Sequence, residues 1–121
     1  MTAAGLGMDL IEIARIERAL DRRPRLADRL FTERERAYAA SKGRPGRHLA
    51  ARFAAKEAVV KALALGPGTA LKDIEVISGA PPEIELHDEV ARIAGERGLT
   101  LKVSLTHADE MAAAVVIAEP A

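Results

Sequence analysis

The chain has 121 residues, with no cysteine or tryptophan, one tyrosine and two phenylalanines. Disulfides, thiolate catalysis and cysteine-held zinc are excluded, and any core must be built from aliphatic side chains and alanine. Its 18 Lys/Arg balance 18 Asp/Glu, but the basic residues crowd the first half and the acidic ones the second; this asymmetry suggests a basic face for an anionic partner such as nucleic acid, a phosphorylated small molecule or an acidic protein.

No stretch approaches a membrane span, and no basic leader with an apolar run opens the chain. A single domain over residues 1–121, soluble and cytoplasmic, is the expectation. Ala3–Met8 reads as a short apolar strand whose glycines admit close backbone approach. Asp9 then falls where a strand hands over to a helix, the ordinary place for an N-cap. Leu10–Leu20 has helical periodicity through Leu10, Ile13, Ile16 and Leu20. Arg15, Arg18 and Arg22 lie on one exposed face of it, and Arg23 and Arg25 extend the patch past the end, near Pro24. Leu26–Leu30 is a short helical turn, and Thr32 with Glu35 forms a capping-box pattern that opens a helix to about Ala40.

Ser41–Gly46 is a basic loop. A long helix of some five turns is predicted from near Arg47, with Arg52–Leu65 at its heart and Gly66-Pro67-Gly68 as its stop. Alanines at 51, 54, 55, 58 and 62 leave room for other backbone to come close. Beyond residue 70 the period becomes two. Ile74/Val76 and Ile84/Leu86 read as a hairpin, and Asp88 caps a helix to about Arg97 that ends at Gly98. Leu101–Leu105 and Met111–Ala118 are the last strands, joined by the polar turn Thr106–Glu110. Strand, helices, two strands, helix, two strands describe a compact α+β domain.

Three constellations could carry chemistry. Asp9 and Glu57 are carboxylates that could share Mg²⁺ if the long helix crosses the end of the first strand. Lys56 and Lys61 lie beside that pair in sequence, with Gly66–Thr69 as a loop able to offer N–H groups to phosphate. His107 sits in the last turn, while His48 and His87 have less to recommend them. The plainer readings are an i,i+4 ion pair between Glu57 and Lys61, a simple helix terminator and a solvated histidine. No Walker A ending and no nucleophile elbow are present. Residue chemistry alone therefore reaches a Mg²⁺–phosphate site and stops there.

Three separated segments resemble the small, single-domain 4′-phosphopantetheinyl transferases, the holo-acyl-carrier-protein synthases. They are Gly7-Met8-Asp9-Leu10-Ile11-Glu12-Ile13-Ala14-Arg15-Ile16, Phe53-Ala54-Ala55-Lys56-Glu57-Ala58-Val59-Val60-Lys61, and Ser104-Leu105-Thr106-His107 before an apolar strand. Gly66–Gly68 and Asp73–Val76 fall in the family's order. The resemblance implies that Asp9 and Glu57 bind Mg²⁺ against the pyrophosphate of coenzyme A, and that phosphopantetheine passes to a serine of an acyl carrier protein. It places Lys61 on a phosphate as a catalytic group. Glu57, or a metal-bound water near it, would accept the serine proton.

The same resemblance puts His107, Gly66 and Gly68 at coenzyme A, with Arg44, Arg47 and Arg52 at its 3′-phosphate. It turns Arg15, Arg18 and Arg22 toward the acidic carrier, and it implies a homotrimer with sites between subunits. Ile11 stands where larger relatives carry a second acid, leaving two protein carboxylates for the metal; Asp109 has no assigned role. The competing readings are a Mg²⁺-dependent nucleotide or phosphate hydrolase and a non-catalytic module for an acidic protein. Scarce aromatics disfavour RNA.

Overall fold

The structure is a computed structural model that describes residues 4–121. Ala3, expected to open the first strand, lies outside the described residues. Strand β1 (Gly5–Glu12) leads into α1 (Ile13–Arg22), α2 (Leu26–Leu30), α3 (Glu33–Ala40) and the long α4 (Pro45–Ala62). A 3₁₀ turn (Leu71–Asp73) precedes the hairpin β2 (Ile74–Ile77) and β3 (Glu83–Leu86), then α5 (Asp88–Arg97), β4 (Leu99–His107) and β5 (Met111–Pro120). One antiparallel sheet has the order β1-β5-β4, and β2-β3 forms a second. This is the α+β domain the sequence implies.

The centre of the fold is α4 lying across the three-stranded sheet. Ala51, Ala54, Ala55, Ala58 and Ala62 are all buried. They meet the inward residues of β5, Ala112, Ala114, Val116 and Ala118, in one cluster. Small residues on both sides bring backbone against backbone. A Cβ added at Gly7 would lie 1.9 Å from the Ala58 carbonyl oxygen, and one at Gly5 would lie 2.0 Å from that of Ala62. Only glycine fits at those two points.

The first strand is longer than the sequence suggests. It pairs with β5 from Gly5↔Ala118 to Glu12↔Met111, so Asp9 stands opposite Ala114 inside the ladder. Asp9 is therefore not an N-cap. Glu12 occupies that position without a side-chain cap bond. Leu10 and Ile11, expected in the helix, instead alternate across the strand. The physical reason is that apolar residues at 6, 8, 10, 11, 13 and 16 satisfy period two and period 3.6 over the same few residues, and ladder pairing to β5 decides between them.

Elsewhere expectation and structure agree closely. Thr32 and Glu35 form a complete capping box. Pro45 begins α4, its missing N–H costing nothing at a first-turn position. The helix stops at Ala62, earlier than expected, because Ala64 takes φ 51° and breaks it before the glycines arrive. Asp88 is likewise no cap: it is the first residue of α5, after the cap position at His87. His107 belongs to the end of β4, leaving a shorter turn than predicted.

Candidate functional site

Where α4 crosses β1, three predicted site residues come together. Lys61 Nζ donates to the Met8 carbonyl at 2.9 Å and to Asp9 Oδ1 at 3.2 Å. The expected i,i+4 pair between Glu57 and Lys61 is not made; the lysine reaches across to the strand instead. Asp9 and Glu57 line one cavity of about 390 Å³ with Arg15, Ile16, Leu30 and Phe53. Burial holds the Glu57 carboxyl above its usual range, and the Asp9 carboxylate raises it further while Lys61 opposes. Two carboxylates from different elements thus face one opening with a lysine beside them.

Glu57 also lines a larger cavity, about 710 Å³, bounded by Arg29, Val60 and the segment from Gly66 to Asp73. A Cβ on Gly66 or Gly68 would meet no protein atom within 4 Å, and neither has a left-handed φ. Nothing in the chain's own packing demands glycine there, and both leave open space beside Glu57. Lys56, predicted to neighbour the carboxylate pair, is elsewhere. It is buried on another side of the helix with Glu35.

Arg52 and His107 fall in a second group, around Tyr38 and His48. The Arg52 guanidinium lies 4.4 Å from the centre of the Tyr38 ring, with Lys42 at 4.7 Å. His48 meets Tyr38 edge-on at 5.7 Å and His107 at 6.1 Å. Arg52 donates to the His48 carbonyl at 3.3 Å and to Ser78 Oγ at 3.2 Å, while its buried Nε and that of Arg47 have no partner among the described residues. Burial pushes the His48 ring down from its ordinary pKa, and Arg52, His107, Lys42 and Arg47 push the same way. Such a surplus of positive charge suits a phosphate.

Arg44 belongs fully to neither group. It makes a two-pronged pair with Glu17 at 3.1 and 2.8 Å and donates to the Asp109 carbonyl at 2.9 Å. On α4, Arg52 and Glu57 are five residues apart, about 140° around the axis. The two groups therefore open on different sides of one chain.

Arg15 reaches the Asp9–Glu57 cavity, while Arg22 borders a groove with Ala19, Arg23 and Leu26. Arg18 is exposed. Sequence reasoning missed Tyr38 as the centre of the second group. Its being the one tyrosine in a chain so poor in aromatics was the available signal. Glu75, Glu85 and His87 also gather ligand-type atoms within 4.8 Å of one another. Arg34 and Thr32 already bond Glu75, so a guanidinium occupies the place of a cation there.

On the far side of the main sheet, Leu6, Met8 and Leu10 are 67%, 66% and 63% exposed, and Ile117 continues the strip. No helix of the described residues is long and apolar enough to cross a membrane.

A family model described as the 4′-phosphopantetheinyl transferase superfamily matches residues 5–116. The holo-[acyl-carrier-protein] synthase of Moorella thermoacetica is 48% identical over 117 residues, which cover 93% of this chain and 91% of that protein. The solved acyl carrier protein synthase of Mycobacterium tuberculosis is similar with a TM-score of 0.81 and 36% identity, over 99% of this chain and 100% of that one. A holo-(acyl-carrier-protein) synthase from Bacillus anthracis, solved in complex with coenzyme A (3′,5′-ADP), has a TM-score of 0.80 and 34% identity, over the whole of both chains.

Proposed function

The chain belongs to the 4′-phosphopantetheinyl transferase superfamily, and from that premise we propose that it moves 4′-phosphopantetheine from coenzyme A to a serine of an apo-acyl carrier protein. The observation that carries this reading is the meeting of Asp9, Glu57 and Lys61 where α4 crosses β1. The serine oxygen forms a bond to the pantetheine-side phosphorus of the pyrophosphate. The bond from that phosphorus to the bridging oxygen breaks, and 3′,5′-ADP leaves with the electron pair.

Asp9 and Glu57 fit a Mg²⁺ ion. Both offer hard carboxylate oxygens to one cavity, and their mutual repulsion is relieved by a cation between them. When bound, the ion neutralises charge on the phosphoryl oxygens and orients them. Lys61, fixed by the Met8 carbonyl, adds a positive charge for the pyrophosphate beside the same carboxylates. Glu57, or a metal-bound water near it, would accept the serine proton.

Arg52, Arg47 and Arg44 are assigned to the 3′-phosphate, His107 to coenzyme A, and Gly66 and Gly68 to the open wall along it. That the two groups open on different sides of one chain supports a working site between neighbouring copies of a homotrimer. The exposed Leu6, Met8 and Leu10 strip supports such an assembly, since a monomer gains by covering it. Arg15, Arg18 and Arg22 form the docking face for an acidic carrier. The enzyme would act in the cytoplasm, supplying carriers for fatty-acid or polyketide synthesis.

Incubation with coenzyme A, Mg²⁺ and an apo-carrier, followed by mass measurement of the carrier, tests the reading. Addition of one phosphopantetheine is expected. No addition to any of several carriers overturns it, and breakdown of coenzyme A without a carrier favours hydrolysis instead.

A further inference from the structure

Lys56 precedes Glu57 in α4 but turns away from the phosphate site into the interior. Its side chain is 0% exposed, as is that of Glu35. The ammonium donates to Glu35 Oε1 at 2.8 Å, to the Leu71 carbonyl at 3.0 Å and to the carbonyl of Ile74. All three donors are thereby used. Glu35 in turn accepts from Val76 N at 2.8 Å and Thr32 N at 2.9 Å.

Two of the lysine's three bonds fall on backbone of the 3₁₀ turn that ends the segment Gly66–Asp73, on its first residue, Leu71, and on Ile74 just after it. That segment is the wall of the larger cavity facing Glu57. Among the described residues its other hydrogen bonds are local, Thr69 to Gly66, Asp73 to Ala70 and Ile74 N to Leu71 O, apart from His87 N donating to Asp73 O. Lys56 is thus the polar tie between the wall and the helix that carries Glu57. A buried ion pair is weak evidence for stability, because an apolar pair of similar volume often serves as well. What an apolar pair cannot do is bond two carbonyls at defined points.

We propose that Lys56, with Glu35 as its counter-ion, is a positioning residue that fixes the Gly66–Asp73 wall relative to Glu57 and so sets the affinity for coenzyme A. This rests on the phosphopantetheinyl-transfer reading. Two variants separate positioning from bulk stability. Glu35→Gln removes the counter-charge but leaves Lys56 on both carbonyls. Lys56→Met with Glu35→Gln removes both charges and also the tie. If the latter does not fold, Lys56→Leu with Glu35→Met takes its place.

Thermal midpoint, hydrogen exchange over residues 66–74, and KM and kcat for transfer are measured on each. Glu35→Gln is expected to lower the midpoint while KM for coenzyme A stays within about twofold of wild type. The double variant is expected to raise that KM about fivefold or more, with a smaller change in kcat and faster exchange across the wall. KM unchanged in a folded double variant, or KM following the midpoint through both variants, overturns the inference. Wild-type protein that transfers nothing defeats the transfer reading; wild-type transfer with unchanged variant KM defeats this inference alone.

Discussion

Lys61 and Asp9 are hydrogen-bonded between a helix and a strand, Nζ to Oδ1 at 3.2 Å, while Glu57, one turn earlier on the same helix, has no ion-pair partner among the described residues. The lysine thus bonds the strand's carboxylate rather than its own helix's, and the Glu57 carboxylate stays unpaired beside Asp9 in the same cavity. A surface i,i+4 pair would contribute a few tenths of a kcal/mol and close the site. The observed arrangement keeps it open.

Glu57→Gln therefore separates activity from stability. Its carboxyl titrates above the ordinary 4.5, so above that pH its charge disfavours the folded state. Removing the charge leaves the thermal midpoint at pH 7 unchanged or higher. Transfer falls about a thousandfold or more with the loss of a metal ligand and proton acceptor. Near-normal turnover of a folded Glu57→Gln or Glu57→Ala protein in Mg²⁺ would return Glu57 to a structural role.

Arg15→Glu weakens carrier binding far more than coenzyme A binding. Arg15 stands at the edge of the Asp9–Glu57 cavity, and reversing its charge sets it against an acidic partner. A tenfold or larger rise in KM for the carrier, about 1.4 kcal/mol, is expected with KM for coenzyme A within about twofold. Equal losses for both ligands would remove the docking assignment.

Met8→Glu places a charge in the middle of the exposed apolar strip, 66% accessible in the single chain. In sedimentation at micromolar concentration the parent chain is expected at trimer mass and the variant at monomer mass. Transfer is lost with assembly if neighbouring copies complete the site. A monomeric parent would dispose of the trimer.

Glu75 governs part of the acid limb of stability. Hydrogen bonding from Arg34, aided by His87 and Thr32, holds its carboxyl down to about 2. A depressed carboxyl stabilises the fold above its ordinary value of 4.5, and that stabilisation is lost as pH falls from about 4.5 to about 2. Glu75→Gln flattens the midpoint-versus-pH curve across that window and costs on the order of 1–2 kcal/mol at pH 7, since the exposed Arg34 limits the gain. An unchanged acid limb would show that the pair is ornamental.

The helix-rich first half and the hairpin were legible in the sequence wherever one residue pattern admits one structure. Thr32 and Glu35 announce their cap locally, and the alanine rows of α4 announce close packing. Asp9 was misread because its neighbours fit strand and helix equally, and the choice is made by β5, a hundred residues later. Lys56 was misplaced for a similar reason. Its counter-ion is 21 residues earlier, and no helical spacing points to it. Glu57 was paired with Asp9 from residue chemistry as a possible Mg²⁺ site, the structure brings both to one cavity, and the family resemblance supplies the role proposed for them. His107 stands out in the sequence as a turn histidine, but Tyr38, with which it shares a cluster through His48, carries no motif.

Gly7 has a consequence for how the enzyme tolerates change. Since α4 rests on β1 through backbone atoms, the separation of Asp9 and Glu57 is a main-chain dimension rather than a side-chain one. Trimming the buried Val59, as in Val59→Ala, is expected to lower the melting point and leave turnover per folded molecule intact. One methyl at position 7 has no room beside the Ala58 carbonyl, so Gly7→Ala must lift the helix and part the carboxylates. Apolar trimming in the interior is thus expected to cost stability rather than catalysis, while one methyl on a residue with no side chain reaches the site.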